Sequence, residues 1–152
     1  MLQDVVIDIH SLSQISPSVA AEQDADPRLL LALHFIANNH SQASLGLKDV
    51  SKSAGLSAWY FSRLFNTSMR MGLREYLKNV RLEHACRLLK SSSLSIKEIA
   101  ASVGYNHLSD FYHHFKSGHG ISPLVFRRQA RRTSTLLEDL SAPRTMQQLP
   151  RQ

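Results

Sequence analysis

Two short clusters of side chains, fifty positions apart, are suited to reading the edges of base pairs: Trp59, Ser62 and Arg63, then Ser109, Tyr112 and His113. The guanidinium of Arg63 can donate two parallel hydrogen bonds to O6 and N7 of a guanine, which makes it the strongest single base-reading candidate. A phosphate contact or a solvated ion pair is the plainer use of the same group. Trp59 suits a thymine methyl or the sugar-phosphate, and the alternative for it is a place in the core. Placed in a groove, His113 would make affinity depend on pH, because imidazole is the side chain type whose charge changes near neutral pH. Around these clusters Arg74, Lys78, Lys97, Lys116, Arg127, Arg128, Arg131 and Arg132 can neutralise backbone phosphates; their plain alternative is a solvated helix face.

Other chemistries find less support. His107, Asp110 and His114 are spaced to share a helical face and could ligate a metal, but a polar DNA-facing surface explains them equally well, so no metal site is assigned. The one cysteine, Cys86, lies among apolar positions and reads as a small core residue. There is no hydrolase elbow, phosphate-binding loop or dinucleotide fingerprint. An enzyme is therefore the least favoured class, and no cofactor is called for.

At 152 residues with 43% hydrophobic and 20% charged, the chain has the composition of a soluble globular protein with a core, which excludes wholesale disorder and a fibre. That length does not hold a sensor domain plus an effector domain of ordinary sizes. A single cysteine cannot form an internal disulfide, no apolar run is long enough to span a membrane, and Asp4 and Asp8 stand where a signal peptide would be positive. A cytoplasmic location is expected. Charge is unevenly spread. Residues 1–45 carry a net of -4, whereas residues 46–132 set fifteen Lys and Arg against five Asp and Glu, a net of +10, and the rest is neutral. Concentration of positive charge in the middle favours nucleic acid as the partner.

The elements that must hold these side chains are helices. Asp26-Pro27 is a helix start, followed by Leu29, Leu30, Leu33, Phe35, Ile36 and Ala37 as an apolar face ending near Asn38-Asn39. Leu47 to Ala54 reads as a two-turn helix broken at Gly55, with Ser57 capping a second helix to about Asn66. A longer periodic segment from about Leu73 to Leu89 reads as a spine. Ser95 caps a helix to Ser102, Gly104 breaks it, another runs from about Leu108 to Lys116, and Pro123 starts a last one toward Arg132. Residues 1–26 read as an arm or linker, and 133–152 as a tail, with disorder expected after about Leu140.

The spacing also contains a repeat. Val50, Ala54 and Gly55 match Ile99, Val103 and Gly104 at an offset of 49, while Phe61, Phe65, Met71 and Tyr76 match Phe111, Phe115, Ile121 and Phe126 at 50. One residue is inserted in the second turn. The offsets describe a duplicated helix-turn-helix, at about 47–66 and 96–116, joined by one long helix. In each unit a Gly permits the tight turn and apolar residues fix the angle between helices. Val50, Ala54, Leu56, Phe61, Leu64 and Phe65 supply that packing in the first unit; Ile99, Val103, Tyr105, Phe111 and Phe115 supply it in the second.

From about Pro27 to Arg132 the sequence resembles the AraC/XylS family of bacterial transcription regulators. The carrying residues are Gly55 to Phe65, Leu73-Arg74-Glu75-Tyr76-Leu77, Arg81-Leu82, Ala85 to Leu89, Ile96 to Ala100, Gly104-Tyr105, Phe111 to Lys116, and Gly120-Ile121-Ser122-Pro123 through Phe126-Arg127. The resemblance implies an all-α domain of about seven helices whose two recognition helices enter successive major grooves. It also implies promoter regulation, often by activation through contact with RNA polymerase. Two unlike recognition helices on one chain predict an asymmetric site with patches ~34 Å apart, for which a monomer suffices and a dimer is compatible. Three departures matter. Arg70 stands where the family usually has Gly, so the Thr67-to-Gly72 connection is expected to differ. His113 replaces a frequent Arg. The sensor domain that many members carry does not fit in the first 27 residues, which leaves a stand-alone regulator controlled by abundance or a fragment of a longer gene. Arg70 and His113 also favour an alternative: a protein-interaction module, such as an anti-activator, that keeps the fold without specific DNA binding.

Overall fold

The structure, a computed structural model, describes residues 26–141, and these form seven helices and no strand. They are α1 (Pro27–Asn39), α2 (Leu47–Ser53), α3 (Ala58–Met69), α4 (Leu73–Ser91), α5 (Ile96–Ser102), α6 (Leu108–His119) and α7 (Pro123–Ser141). The all-α expectation holds, and the starts follow from local chemistry. Asp26 Oδ1 accepts from Arg28 N at 2.9 Å while Pro27 opens α1 with no N–H that would need an acceptor. Ser57 Oγ accepts from Tyr60 N at 3.3 Å to start α3. Ser95 and Glu98 cap α5 reciprocally: Glu98 N donates to Ser95 Oγ at 3.2 Å and Ser95 N donates to Glu98 Oε2 at 2.7 Å. Asp49, the counterpart of Glu98, accepts from Gly46 N at 3.0 Å ahead of α2.

The sequence repeat is a structural repeat. Phe61 and Phe65 lie 5.3 Å apart between ring centres and Phe65 meets Tyr76 edge-on at 5.4 Å. Their counterparts Phe111 and Phe115 lie 5.7 Å apart, with Phe115 edge-on to Phe126 at 5.5 Å. Four fully buried phenylalanines thus anchor α3 and α6 from beneath in the same way. One core gathers Leu29, Ala32, Ile36, Leu45, Val50, Ala54, Phe61, Phe65 and Leu77; a second gathers Leu82, Ala85, Leu89, Ile99, Ala100, Val103, Phe111 and Phe115. Helix α4 supplies residues to both, which is why its apolar positions do not form one stripe.

Four differences from the sequence reading have physical reasons. On α1 the buried stripe is Leu29, Ala32 and Ile36, while Leu30 and Ala37 face outward, because only the first set repeats at helical spacing toward the core. Helices α3 and α6 run to Met69 and His119 rather than to about Asn66 and Lys116, because nothing before Arg70 and Gly120 stops them. Helix α7 continues past Arg132 through Ser141, where a tail was expected to begin at 133; no Gly or Pro interrupts that stretch, and Thr133 and Thr135 hydroxyls donate to the Gln129 and Arg131 carbonyls. Of the stretches read as an arm (1–26) and a tail (133–152), residues 1–25 and 142–152 lie outside the described residues, and Asp26 is the cap of α1.

The fourth difference concerns Arg70. It ends α3 in the left-handed region at φ 53° and ψ 21°, as Gly120 ends α6 at φ 73°. The connection therefore keeps the glycine geometry with an arginine in it. A left-handed residue with a Cβ costs ~1–2 kcal/mol, and glycine gives back ~0.5–1 through its freer unfolded chain. Arg70→Gly is expected to raise stability by roughly 0.5–1 kcal/mol in urea unfolding. A loss would mean that contacts of the Arg70 side chain outweigh the strain.

Candidate nucleic-acid interface

With Phe61 and Phe65 turned inward, the opposite face of α3 presents Trp59, 71% exposed, and exposed Arg63, while Ser62 is half-buried. Trp59 and Arg63 are one turn apart, and the guanidinium carbon lies 5.8 Å from the indole ring centre. This stacking pre-orders a long side chain on the surface. Among the described residues the ion pairs are Arg28–Asp26 and Arg87–Glu83, so no carboxylate neutralises Arg63.

On α6 the same positions are Ser109, Tyr112 and His113, all exposed above buried Phe111 and Phe115. Each sits fifty residues after Trp59, Ser62 and Arg63. The fold thus brings each trio onto one helix face, with unlike chemistry on the two helices. Lys116 continues the α6 face, and its counterpart on α3 is exposed Asn66. Asn66 was missed in the sequence, although the offset of 50 pointed to it. Lys48, exposed at the counterpart position of Lys97, was missed for the same reason.

The phosphate candidates divide. Arg74, Lys97, Lys116, Arg128, Arg131 and Arg132 are exposed, and Lys78 is half-buried. A shallow groove along α7 is lined by Leu124, Arg127, Arg128, Arg131, Arg132, Thr135 and Leu136, so the arginines form one stripe. Arg127 has a structural tie: its Nη2 donates to the Leu94 carbonyl at 2.6 Å, and its Nε is buried with no partner among the described residues. It ties α7 to the loop before α5.

Of the side chains weighed for a metal, His114 turns inward and shares a hydrogen bond with Tyr105 OH at 3.2 Å. Burial, then the charge of Lys78 and the neighbouring His113, holds its pKa below the ordinary histidine value. Among the described residues no three His, Cys, Asp or Glu side chains gather as a metal would require. Cys86 packs against the second core with Sγ 3.4 Å from His119 Nε2, and burial pushes its thiol up to about 11, so it is a poor nucleophile. No helix among the described residues is long and apolar enough to cross a membrane.

A helix-turn-helix domain family model matches residues 50–129. The chain is 37% identical over 92 residues to the Msm operon regulatory protein of Streptococcus mutans, across 59% of this chain and 33% of that protein. The C-terminal domain of AraT, a response regulator from Geobacillus stearothermophilus, is similar in structure with a TM-score of 0.67 and 33% identity, covering 70% of this chain and 88% of that one. The DNA-binding domain of AdpA, solved in complex with a target DNA, shares the fold with a TM-score of 0.67 at 23% identity, over 72% of this chain and 97% of that chain. The chain spans about a third of the length of the first curated relatives it matches. With two helix-turn-helix units in tandem and a matching family model over more than half its length, the chain belongs to the AraC/XylS-type helix-turn-helix family of DNA-binding transcription regulators.

Proposed function

We propose that this chain is a sequence-specific reader of double-stranded DNA at bacterial promoters, with α3 and α6 in successive major grooves. The observation that carries the reading is the pair of equivalent outward faces, Trp59, Ser62 and Arg63 against Ser109, Tyr112 and His113, each backed by two buried phenylalanines. Rigid elements hold such side chains better than loops do, and their differing chemistry suits an asymmetric site. Arg74, Lys78, Lys97, Lys116, Arg127, Arg128, Arg131 and Arg132 set the register through phosphates, Arg127 through whatever donors its tie to Leu94 leaves. One chain suffices for DNA binding and a dimer is compatible with it. RNA polymerase is the further partner, and the cytoplasm the compartment.

The test is selection of bound sites from a random duplex library, with the winner compared against scrambled duplex at two salt concentrations. One asymmetric two-patch site, bound ~10³-fold or more tighter than scrambled DNA, is the expected result. Binding that falls with salt and has no winning site would leave only phosphate attraction, and the anti-activator reading would replace this one. The left-handed Arg70 removes one support for that alternative, because the α3–α4 connection keeps the geometry its glycine counterpart has.

A further inference from the structure

The two cores share no buried residue; the first ends on α4 at Leu77 and the second begins at Leu82. Between them stands Arg81. Its Nε donates to the His40 carbonyl at 2.8 Å and its Nη2 to the Gln42 carbonyl at 2.7 Å, both in the loop after α1. Its guanidinium carbon lies 5.9 Å from the centre of the Tyr105 ring, in the turn between α5 and α6. In that turn Gly104 abuts the same loop: a Cβ on it would stand 2.8 Å from the His40 oxygen and 2.9 Å from the Ser41 oxygen. One turn further along α4, His84 stacks on the His40 ring at 3.8 Å. Burial, with His40 and Arg87 nearby, pushes the His84 pKa down to about 4, so that ring brings no charge to the stack near neutral pH.

Three elements therefore meet at one point: the end of α1 from the first unit, the middle of α4, and the turn of the second unit. The free carbonyls at the end of a helix carry its negative pole, so the carbonyl of His40, the cap of α1, attracts a cation. A charged donor making two such bonds while half-buried holds its acceptors firmly. The junction adds a second attachment between the units beside the α4 rod, and a rod alone resists bending and twisting less well than a two-point attachment.

We propose that the Arg81 junction fixes the separation and rotation of α3 and α6, which makes Arg81 a positioning residue that sets operator spacing without touching DNA. This rests on the reading that both helices engage one duplex. Adding one base pair between the patches moves the second by ~3.4 Å and about a tenth of a turn, so a rigid reader rejects it.

Two measurements on the full chain test this. In the first, affinity is measured for the selected operator and for versions with one base pair added or removed between the patches. Wild type is expected to prefer the native spacing by ~10²-fold, and Arg81→Met to cut that preference at least about tenfold, with Arg81→Lys in between. In the second, spin labels on Thr67→Cys and Ser117→Cys, in a Cys86→Ala background and without DNA, report the distance between α3 and α6. One narrow distance is expected, broadened or shifted by Arg81→Met. If Arg81→Met does not fold, Arg81→Lys carries both measurements, since an ammonium cannot reproduce the forked pair of bonds. A folded Arg81 variant with unchanged spacing preference or an unchanged distance distribution overturns the proposal. If wild type selects no operator while the variant broadens the distance, the DNA reading fails and the junction stands.

Discussion

Gly104→Ala is expected to destabilise the domain by roughly 3 kcal/mol, a sizeable part of the ~5–15 kcal/mol that keeps an ordinary domain folded. Two effects add. The backbone at φ +93° lies in the left-handed region, where a Cβ costs ~1–2 kcal/mol. The new methyl would also be forced to within 3 Å of two carbonyl oxygens of the α1–α2 loop, and overpacking of this kind costs ~1–3 kcal/mol. Neither oxygen can rotate away, since both belong to backbone and one already accepts from Arg81. Gly55, the counterpart of Gly104 in the first unit, has φ +67° with nothing within 4 Å of its missing Cβ. Gly55→Ala is the control: it should show the backbone effect alone, the ~1–2 kcal/mol left-handed cost less the ~0.5–1 kcal/mol returned by alanine's stiffer unfolded chain. Urea unfolding of both variants checks the difference, and equal losses would mean that the loop yields freely to the added methyl.

The second large effect is on binding. Arg63→Ala should weaken the selected operator by about 1–3 kcal/mol, or ~5-fold to 150-fold, and leave scrambled duplex almost unchanged. A base contact adds only where its base is present, whereas a phosphate contact adds everywhere. The salt dependence distinguishes the two further: losing a base contact leaves the slope of affinity against salt alone, and losing a phosphate contact reduces it by about one. Equal loss on both duplexes would move Arg63 to the backbone-contacting set and leave Trp59, on which it stacks, and Ser62 as the remaining candidate readers on α3.

Helix starts could be read from sequence because their causes are local. Asp26 ahead of Pro27, Ser57, and the Ser95–Glu98 pair each satisfy backbone N–H groups within three residues, and the structure has those bonds. The outward faces could be read as well, because buried Phe61, Phe65, Phe111 and Phe115 leave only one side of each helix for Trp59, Arg63, Ser109 and His113. Helix ends were harder. Gly120 suits a left-handed stop, although the sequence reading ends that helix at about Lys116, and at Arg70 the side chain argues against the left-handed conformation found there. The end of α7 was misplaced because a polar composition suggests a tail, although nothing in Thr133 to Leu136 breaks a helix.

What the sequence determined by itself was a duplicated helix-turn-helix with two unlike outward faces and a positive middle, since caps, turns and helical spacing all act over a few residues. The tertiary structure alone decided how the two halves are held to each other. Arg81 reaches carbonyls about forty positions earlier, and Gly104 is pressed against the same loop from more than sixty positions later. Contacts over such separations leave no periodic mark in a chain, because they depend on where folding brings distant backbone atoms rather than on which residues stand side by side.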